Sequence, residues 1–286
     1  MTDAEEYPEV HHVRFIGARV YDTYVIRQER LWAEGSWSGY VPMECPELPS
    51  ALAKLRPGDT KAVLRFAREY GLLGYWHIAK GADGEDGEGE PLDWIWAQAH
   101  TLNVCLALTG LLEHGEREPL EEYLAGLPGP LVIFDAAGSP GRDWQSCVFW
   151  GKSYAAACLG HFPPFDTPFA HARWFRQWLV NINLRPVRPR LHEDPEEGEQ
   201  LYLWTEGVLG AAWFLLSRLL VTPHPRLVQC RDPKCQNWVV PTDQRQHFCA
   251  APRGKRESRC SARYRMRNRR ARASTVAAGG GEEADS

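Results

Sequence analysis

Between Leu227 and Ala273 four cysteines stand in two pairs, Cys230 and Cys235, then Cys249 and Cys260, and the chain runs from them into an arginine-rich segment. Zn²⁺ prefers four tetrahedral thiolate or imidazole ligands, and a short Cys-x4-Cys turn presents two sulfurs to one ion. Thirteen residues between the pairs leave room for a hairpin. Trp238-Val239-Val240 reads as a strand, Pro241-Thr242-Asp243 as the turn, and Gln246-His247-Phe248 as the return strand that delivers Cys249. Ten residues separate Cys249 from Cys260, where a compact zinc knuckle has about two to four. That insertion, AAPRGKRESR, is polar and carries Pro252 and Gly254, so it can loop out while Cys260 reaches the ion from the start of the next helix. His247, two residues before Cys249, is the alternative fourth ligand. The expected cofactor is structural Zn²⁺, with every ligand from protein and no open position for chemistry.

Charge divides the chain. Residues 226–273 hold 14 Lys or Arg against 3 Asp or Glu, a net of +11, while the rest carries 19 against 34, a net of −15. A basic segment of that density is a footprint for a polyanion. From Ser258, a candidate cap, to Arg272 the chain favours helix. Arg259, Arg263, Arg267 and Arg270 share one face by spacing, and Arg265, Arg269 and Arg272 lie on another. The 286 residues suffice for a large body and a small module. The N-terminus MTDAEEYPEV is acidic and polar and no apolar run reads as a membrane span, so a cytoplasmic protein with no membrane partner is expected. In that setting eight cysteines argue for thiols and metal, with Cys105, Cys147 and Cys158 as core thiols and Cys45 lacking knuckle spacing.

The expected architecture is mainly α with small β hairpins, an α+β chain. The first 30 residues show no clear periodicity, His11-His12 reads as a surface pair, and residues 31–55 are irregular. A helix follows from Asp59 or Thr60, ending at Gly71 or Gly74; residues 81–90, GADGEDGEGE, read as a solvated loop. Pro91 to Glu113 reads as a long buried helix, Pro119 to Leu127 as a shorter one, Leu131 to Asp135 as a strand and Trp144 to Gly160 as a helix. Asp166 to Asn183 is amphipathic, with Asp166 as cap and His171 at the surface. Two short strands, 187–191 and 201–204, precede a last body helix capped by Thr205, which is apolar nearly all round, and the zinc segment is expected to pack against it. The twelve tryptophans read as core. No Gly-rich phosphate loop, Gly-x-Ser-x-Gly elbow or His-Glu-x-x-His occurs, and no enzymatic function is expected.

The Cys-x4-Cys, the Trp-Val-Val hairpin, the Arg-x-x-Phe-Cys approach and the terminal Cys-x-x-Arg before a basic helix resemble the CGNR zinc-finger proteins of bacteria. VNINLRPVRPRL and LYLWTEGVLGAAWFLLSRLL fit the helix, hairpin and helix that precede the finger there, so the resemblance spans about residues 178–272. It departs from the signature after the last cysteine, where Cys260-Ser261-Ala262-Arg263 has no Gly-Asn. The resemblance implies a transcription regulator, with a helical sensor-like body over residues 1–222 that takes a small-molecule effector and a DNA-binding finger over 226–273; the tail over 274–286, STVAAGGGEEADS, reads as disordered. It implies Cys230, Cys235, Cys249 and Cys260 as ligands and Arg263 as a nucleic-acid-facing arginine. The expected contact set is Arg259, Arg263, Arg265, Arg267, Arg269 and Arg270, on DNA rather than RNA. A single helix reads few base pairs, so a homodimer is expected of a specific regulator. The competing readings are an RNA-binding or ribosome-associated protein, in which Tyr264 or Trp238 stacks on a base, and a sensor or protein-interaction module whose finger only caps the fold.

Overall fold

The computed structural model describes residues 18–75, 89–127, 131–132, 148–149, 166–184, 187–194, 198–205, 207–221, 227–235, 237–241, 245–249, 251 and 256–279. It is mixed helix and sheet, and the described chain opens on an antiparallel hairpin, β1 (Ala18–Arg27) and β2 (Arg30–Tyr40). The sequence reading found no element there. The two-residue turn is Gln28-Glu29, both in the left-handed region at φ 49° and 59°. That geometry matches the twist of the strands, and its usual marker is Asn-Gly or Asp-Gly. Neither Gln nor Glu announces it.

A short helix α1 (Leu48–Leu52) leads to α2 (Thr60–Tyr70). Asp59 caps α2 by accepting the Ala62 N–H at 2.9 Å. Gly71 ends it at φ 88°, and a Cβ there would lie 2.2 Å from the Arg19 carbonyl oxygen, so only glycine lets β1 pass this close. Next come β3 (Glu90–Pro91), which pairs with β2, and α3 (Leu92–His114). Glu90 corrects the expectation of a solvated loop through residue 90: it is 1% exposed. Its carboxylate accepts the N–H groups of Leu73, Gly74 and Tyr75 at 2.9, 2.6 and 2.9 Å. Gly89 is buried with it, and residues 81–88 of that stretch lie outside the described residues.

Helix α3 is the axis of the body. One side, with Trp94, Ile95, Leu102 and Leu106, joins the main core with Leu48, Leu52, Val63, Phe66 and Trp213. Its other side, with Val104 and Leu108, packs on Leu120, Phe175 and Leu179. These last come from α4 (Arg117–Ala125) and α5 (Pro168–Asn183). A helix buried on both sides is apolar all round. Contrary to the sequence expectation, α3 is long and apolar enough to cross a membrane, but 72% of its most apolar window is buried inside the protein. Thr167, not Asp166, caps α5 by accepting the Ala170 N–H at 3.1 Å, and Asp166 is exposed.

Strand β4 (Leu131–Val132) pairs with β5 (Val148–Phe149). Val148 and Phe149 were expected in a helix over 144–160, the remainder of which, with Cys147 and Cys158, lies outside the described residues. The expected second hairpin forms as β6 (Arg188–Asp194) and β7 (Gly198–Trp204), followed by α6 (Val208–Val221). Thr205 sits ahead of α6 and donates its hydroxyl to the Gly207 carbonyl at 3.2 Å. Two-residue strands β8 (Val228–Gln229) and β9 (Trp238–Val239) come next, then α7 (Arg259–Gly279). Residues 274–279, expected in a disordered tail, continue α7; residues 280–286 and His11-His12 lie outside the described residues.

Candidate metal centre

Strands β8 and β9 pair antiparallel, Val228 opposite Val239 and Gln229 opposite Trp238. Trp238-Val239 therefore finds its partner upstream, before Cys230, and not in Gln246–Phe248. The reason lies in backbone satisfaction: the Cys230 N–H donates to the Asn237 carbonyl at 2.8 Å and extends the β8–β9 pairing to the first cysteine. Gln246–Phe248 instead crosses the other flank, where the His247 carbonyl accepts the Arg231 N–H at 3.0 Å. The Cys235 N–H closes the Cys-x4-Cys turn on the Asp232 carbonyl at 2.8 Å. Cys260 enters from the first turn of α7, whose start Ser258 caps by accepting the Ser261 N–H at 3.1 Å.

The four sulfurs meet. Their Sγ atoms all lie within 4.8 Å of one another, with Cys230, Cys249 and Cys260 buried and Cys235 half-buried. The Cys235 and Cys249 sulfurs are 3.5 Å apart and the cysteines are free. A disulfide needs about 2.05 Å; tetrahedral thiolates at about 2.3 Å from one ion stand about 3.8 Å from each other. The donor set thus fits one tetrahedral cation. His247 is not in the cluster. Hydrogen bonding from Cys249 and Cys260 pushes the Cys235 thiol down, while hydrogen bonding to Cys235 holds the Cys249 and Cys260 thiols up. Such shared protons are what a bound cation replaces.

Charged side chains stand beside the sulfurs. Asp232, between the first two cysteines, has no side-chain exposure and receives Arg263 through Nε at 2.8 Å and Nη2 at 2.6 Å. Arg267 reaches its other oxygen at 3.8 Å, and the Lys234 N–H donates to it at 3.3 Å. Arg263 also donates from Nη2 to the Cys260 sulfur at 3.5 Å. From the body, Lys54 acts electrostatically on Cys249 and Arg56 on Cys235, and Arg56 donates to Asn237 Oδ1 at 2.7 Å. Cationic neighbours favour thiolates over thiols. Sequence reasoning missed Asp232, whose one signal is that it is among only three acidic residues in a strongly basic segment.

The six arginines expected on nucleic acid separate into two groups. Arg263 and Arg267 hold Asp232, and Arg265 pairs with Glu257 at 2.6 Å. Arg259, Arg269 and Arg270 are exposed, with no ion pair among the described residues. The two aromatics named for base stacking are engaged within the protein: Tyr264 lies against Phe248 with ring centroids 5.2 Å apart, and Trp238 lies edge-on to His114 at 5.3 Å.

The cysteine segment docks on α3 and α1, and its Leu227 shares the main core with Trp213 and Leu216 of the last body helix, on which it was expected to pack. Leu227 is buried in the main core and Trp238 and Val240 pack against it. A Cβ on Gly110 would lie 2.3 Å from the Trp238 ring. The Leu227 N–H donates to Glu113 Oε2 at 2.9 Å, and the Val240 N–H to the Ser50 hydroxyl at 3.3 Å. Cys105 is a core thiol as expected, pushed up to about 12 by burial. Comparison of this chain with family models, curated proteins and solved structures finds no match.

Proposed function

We propose that the chain is a zinc-stabilised nucleic-acid-binding protein, a DNA-binding regulator of the kind the CGNR resemblance implies. The observation that carries this reading is the clasp: four cysteines within 4.8 Å, the last of them in the first turn of an arginine-rich helix. An all-sulfur tetrahedral set favours Zn²⁺ over oxygen-seeking cations. The ion binds no substrate; it holds β8, β9 and α7 in one arrangement, so the helix is presented at a defined angle. Cys230, Cys235, Cys249 and Cys260 are the ligands, and Arg263 screens the thiolate charge from beside Cys260. In this reading the body is the sensor, with a small-molecule effector, and the working unit is a homodimer.

The test is zinc content and duplex DNA binding in the same samples, wild type against Cys260→Ser. One zinc per chain and salt-dependent binding, both lost in the variant, are expected. Each phosphate contact contributes about −0.9 to the log–log salt slope. Stoichiometric zinc with no salt-dependent binding to any nucleic acid overturns the reading. One observation favours a second reading, a finger that only caps the fold: three of the six arginines are paired with Asp232 and Glu257. Under it, replacing the exposed arginines leaves function intact. Preference for a structured RNA over duplex DNA selects the RNA-binding alternative.

A further inference from the structure

On the exposed side of α7 two arginines are drawn to Asp232, and the residues beside them make a surface of different composition. Counted along the helix, Arg259, Met266 and Arg270 are seven and eleven residues apart and fall on one stripe, with Arg269 beside it. That stripe faces away from Tyr264, which packs on Phe248. Its three arginines are exposed and Met266 is 49% exposed. Arg263 and Arg267 share that side by spacing, but their guanidinium groups are held by Asp232.

An apolar side chain standing among exposed cations, with no ion pair among the described residues, suits a surface with anionic walls and a partly apolar floor. The DNA major groove is such a surface, about 12 Å wide, with phosphates on both rims and thymine methyl groups among the base edges. Arg259 and Arg270 are separated by about 16 Å along the axis at the helical rise, enough to reach opposite rims with Met266 between them. The thioether is flexible and adapts to an uneven apolar floor. In A-form RNA the major groove is too deep and narrow for side chains to read.

We propose that the outward stripe of Arg259, Met266, Arg269 and Arg270 is the surface that meets duplex DNA, the arginines on phosphates and Met266 against thymine methyl groups. Arg263 and Arg267 are positioning residues that fix the helix through Asp232. The proposal rests on the nucleic-acid reading above and narrows it to one face and one duplex.

The experiment uses the zinc-loaded full chain and a pool of random 20-base-pair DNA duplexes, with binding followed by anisotropy across salt. Arg259→Ala/Arg269→Ala/Arg270→Ala is expected to keep its zinc and circular dichroism and to flatten the log–log slope by about 2.7, three phosphate contacts' worth. An unchanged slope in this variant, with wild type binding normally, overturns the proposal and leaves the nucleic-acid reading standing. Absent binding by wild type overturns that reading as well. In the second arm thymine is replaced by deoxyuridine throughout the pool. Wild type is expected to lose about fourfold in affinity, the worth of one buried methyl-sized group. Met266→Ala is expected to bind both pools alike with the wild-type salt slope. Equal wild-type binding to the two pools overturns the role of Met266, and tighter binding to an RNA hairpin of equal length overturns the assignment to DNA.

Discussion

Asp232 holds Arg263 and Arg267 from a position with no side-chain exposure, while Arg263 remains 50% exposed. The two ends of this pair should respond unequally to mutation. Asp232→Asn leaves arginines that water can solvate, and its expected cost in urea unfolding of the zinc-loaded protein is about 1–3 kcal/mol. Arg263→Ala strands a buried carboxylate and is expected to cost more, about 3–5 kcal/mol, less whatever Arg267 restores. Equal costs would show that the carboxylate is hydrated and the buried pair misassigned. Glu90 supplies a pH signature. Burial raises its carboxyl above the ordinary range despite three backbone N–H groups, so the folded state holds its proton more tightly than the unfolded state. Its contribution to stability is then fullest below the unfolded value of about 4.3 and is lost as pH rises through the raised folded value. Urea midpoints of wild type minus Glu90→Gln, measured from about pH 5 upward, should fall with pH; a flat difference refutes the shift. None of this was visible beforehand, since Asp232 and Glu90 look like ordinary loop acids until distant backbone and arginines converge on them.

Helix α3 shows how an element can be recognised while its role is not. Its apolar character and its extent, read as Pro91 to Glu113, were legible in the sequence; the structure carries it to His114 and ends it at Gly115, in the left-handed region at φ 71°. Which neighbours it would seat was not, because a helix apolar all round carries no periodicity to say which side meets what. Gly110 is where this matters, for the Trp238 ring fills the space a side chain would take. Gly110→Ala should therefore separate the cysteine segment from the body at a cost of about 1–3 kcal/mol. Wild-type melting behaviour in Gly110→Ala, together with unaltered Trp fluorescence, would mean that the ring simply moves aside. The α2 helix was legible from its cap and its amphipathic spacing, and α5 from its spacing alone, since its cap is Thr167 where Asp166 was expected. The β1–β2 hairpin was not, because its turn uses Gln28 and Glu29 where Asn-Gly would have marked it.

Over the whole molecule, the acidic body and the basic segment share one packed structure among the described residues. Leu227 lies in the main core, and Trp238 and Val240 pack against it. Chelation should then destabilise the body as well as the metal centre. Metal stabilises only the state that binds it, and for a chain of this size each kcal/mol moves the midpoint by roughly 2–4 °C. Thermal unfolding with and without chelator, followed by far-ultraviolet circular dichroism, is expected to shift by about 5–10 °C in one transition. A body transition that stays put while only a small second one disappears would mean the segment folds alone.

The sequence by itself determined the four metal-ligand candidates, the basic helix with its Ser258 cap, the long central helix and the β6–β7 hairpin. Each depends on residue types at short spacing, where chain geometry leaves few alternatives. Tertiary structure alone decided which strand pairs with Trp238-Val239, that Cys260 and not His247 joins the cluster, and that Asp232 claims Arg263 and Arg267. It also decided that the segment rests on α1 and α3. These outcomes turn on which buried polar groups find partners and which surfaces fit, and such choices are made between residues far apart in the chain.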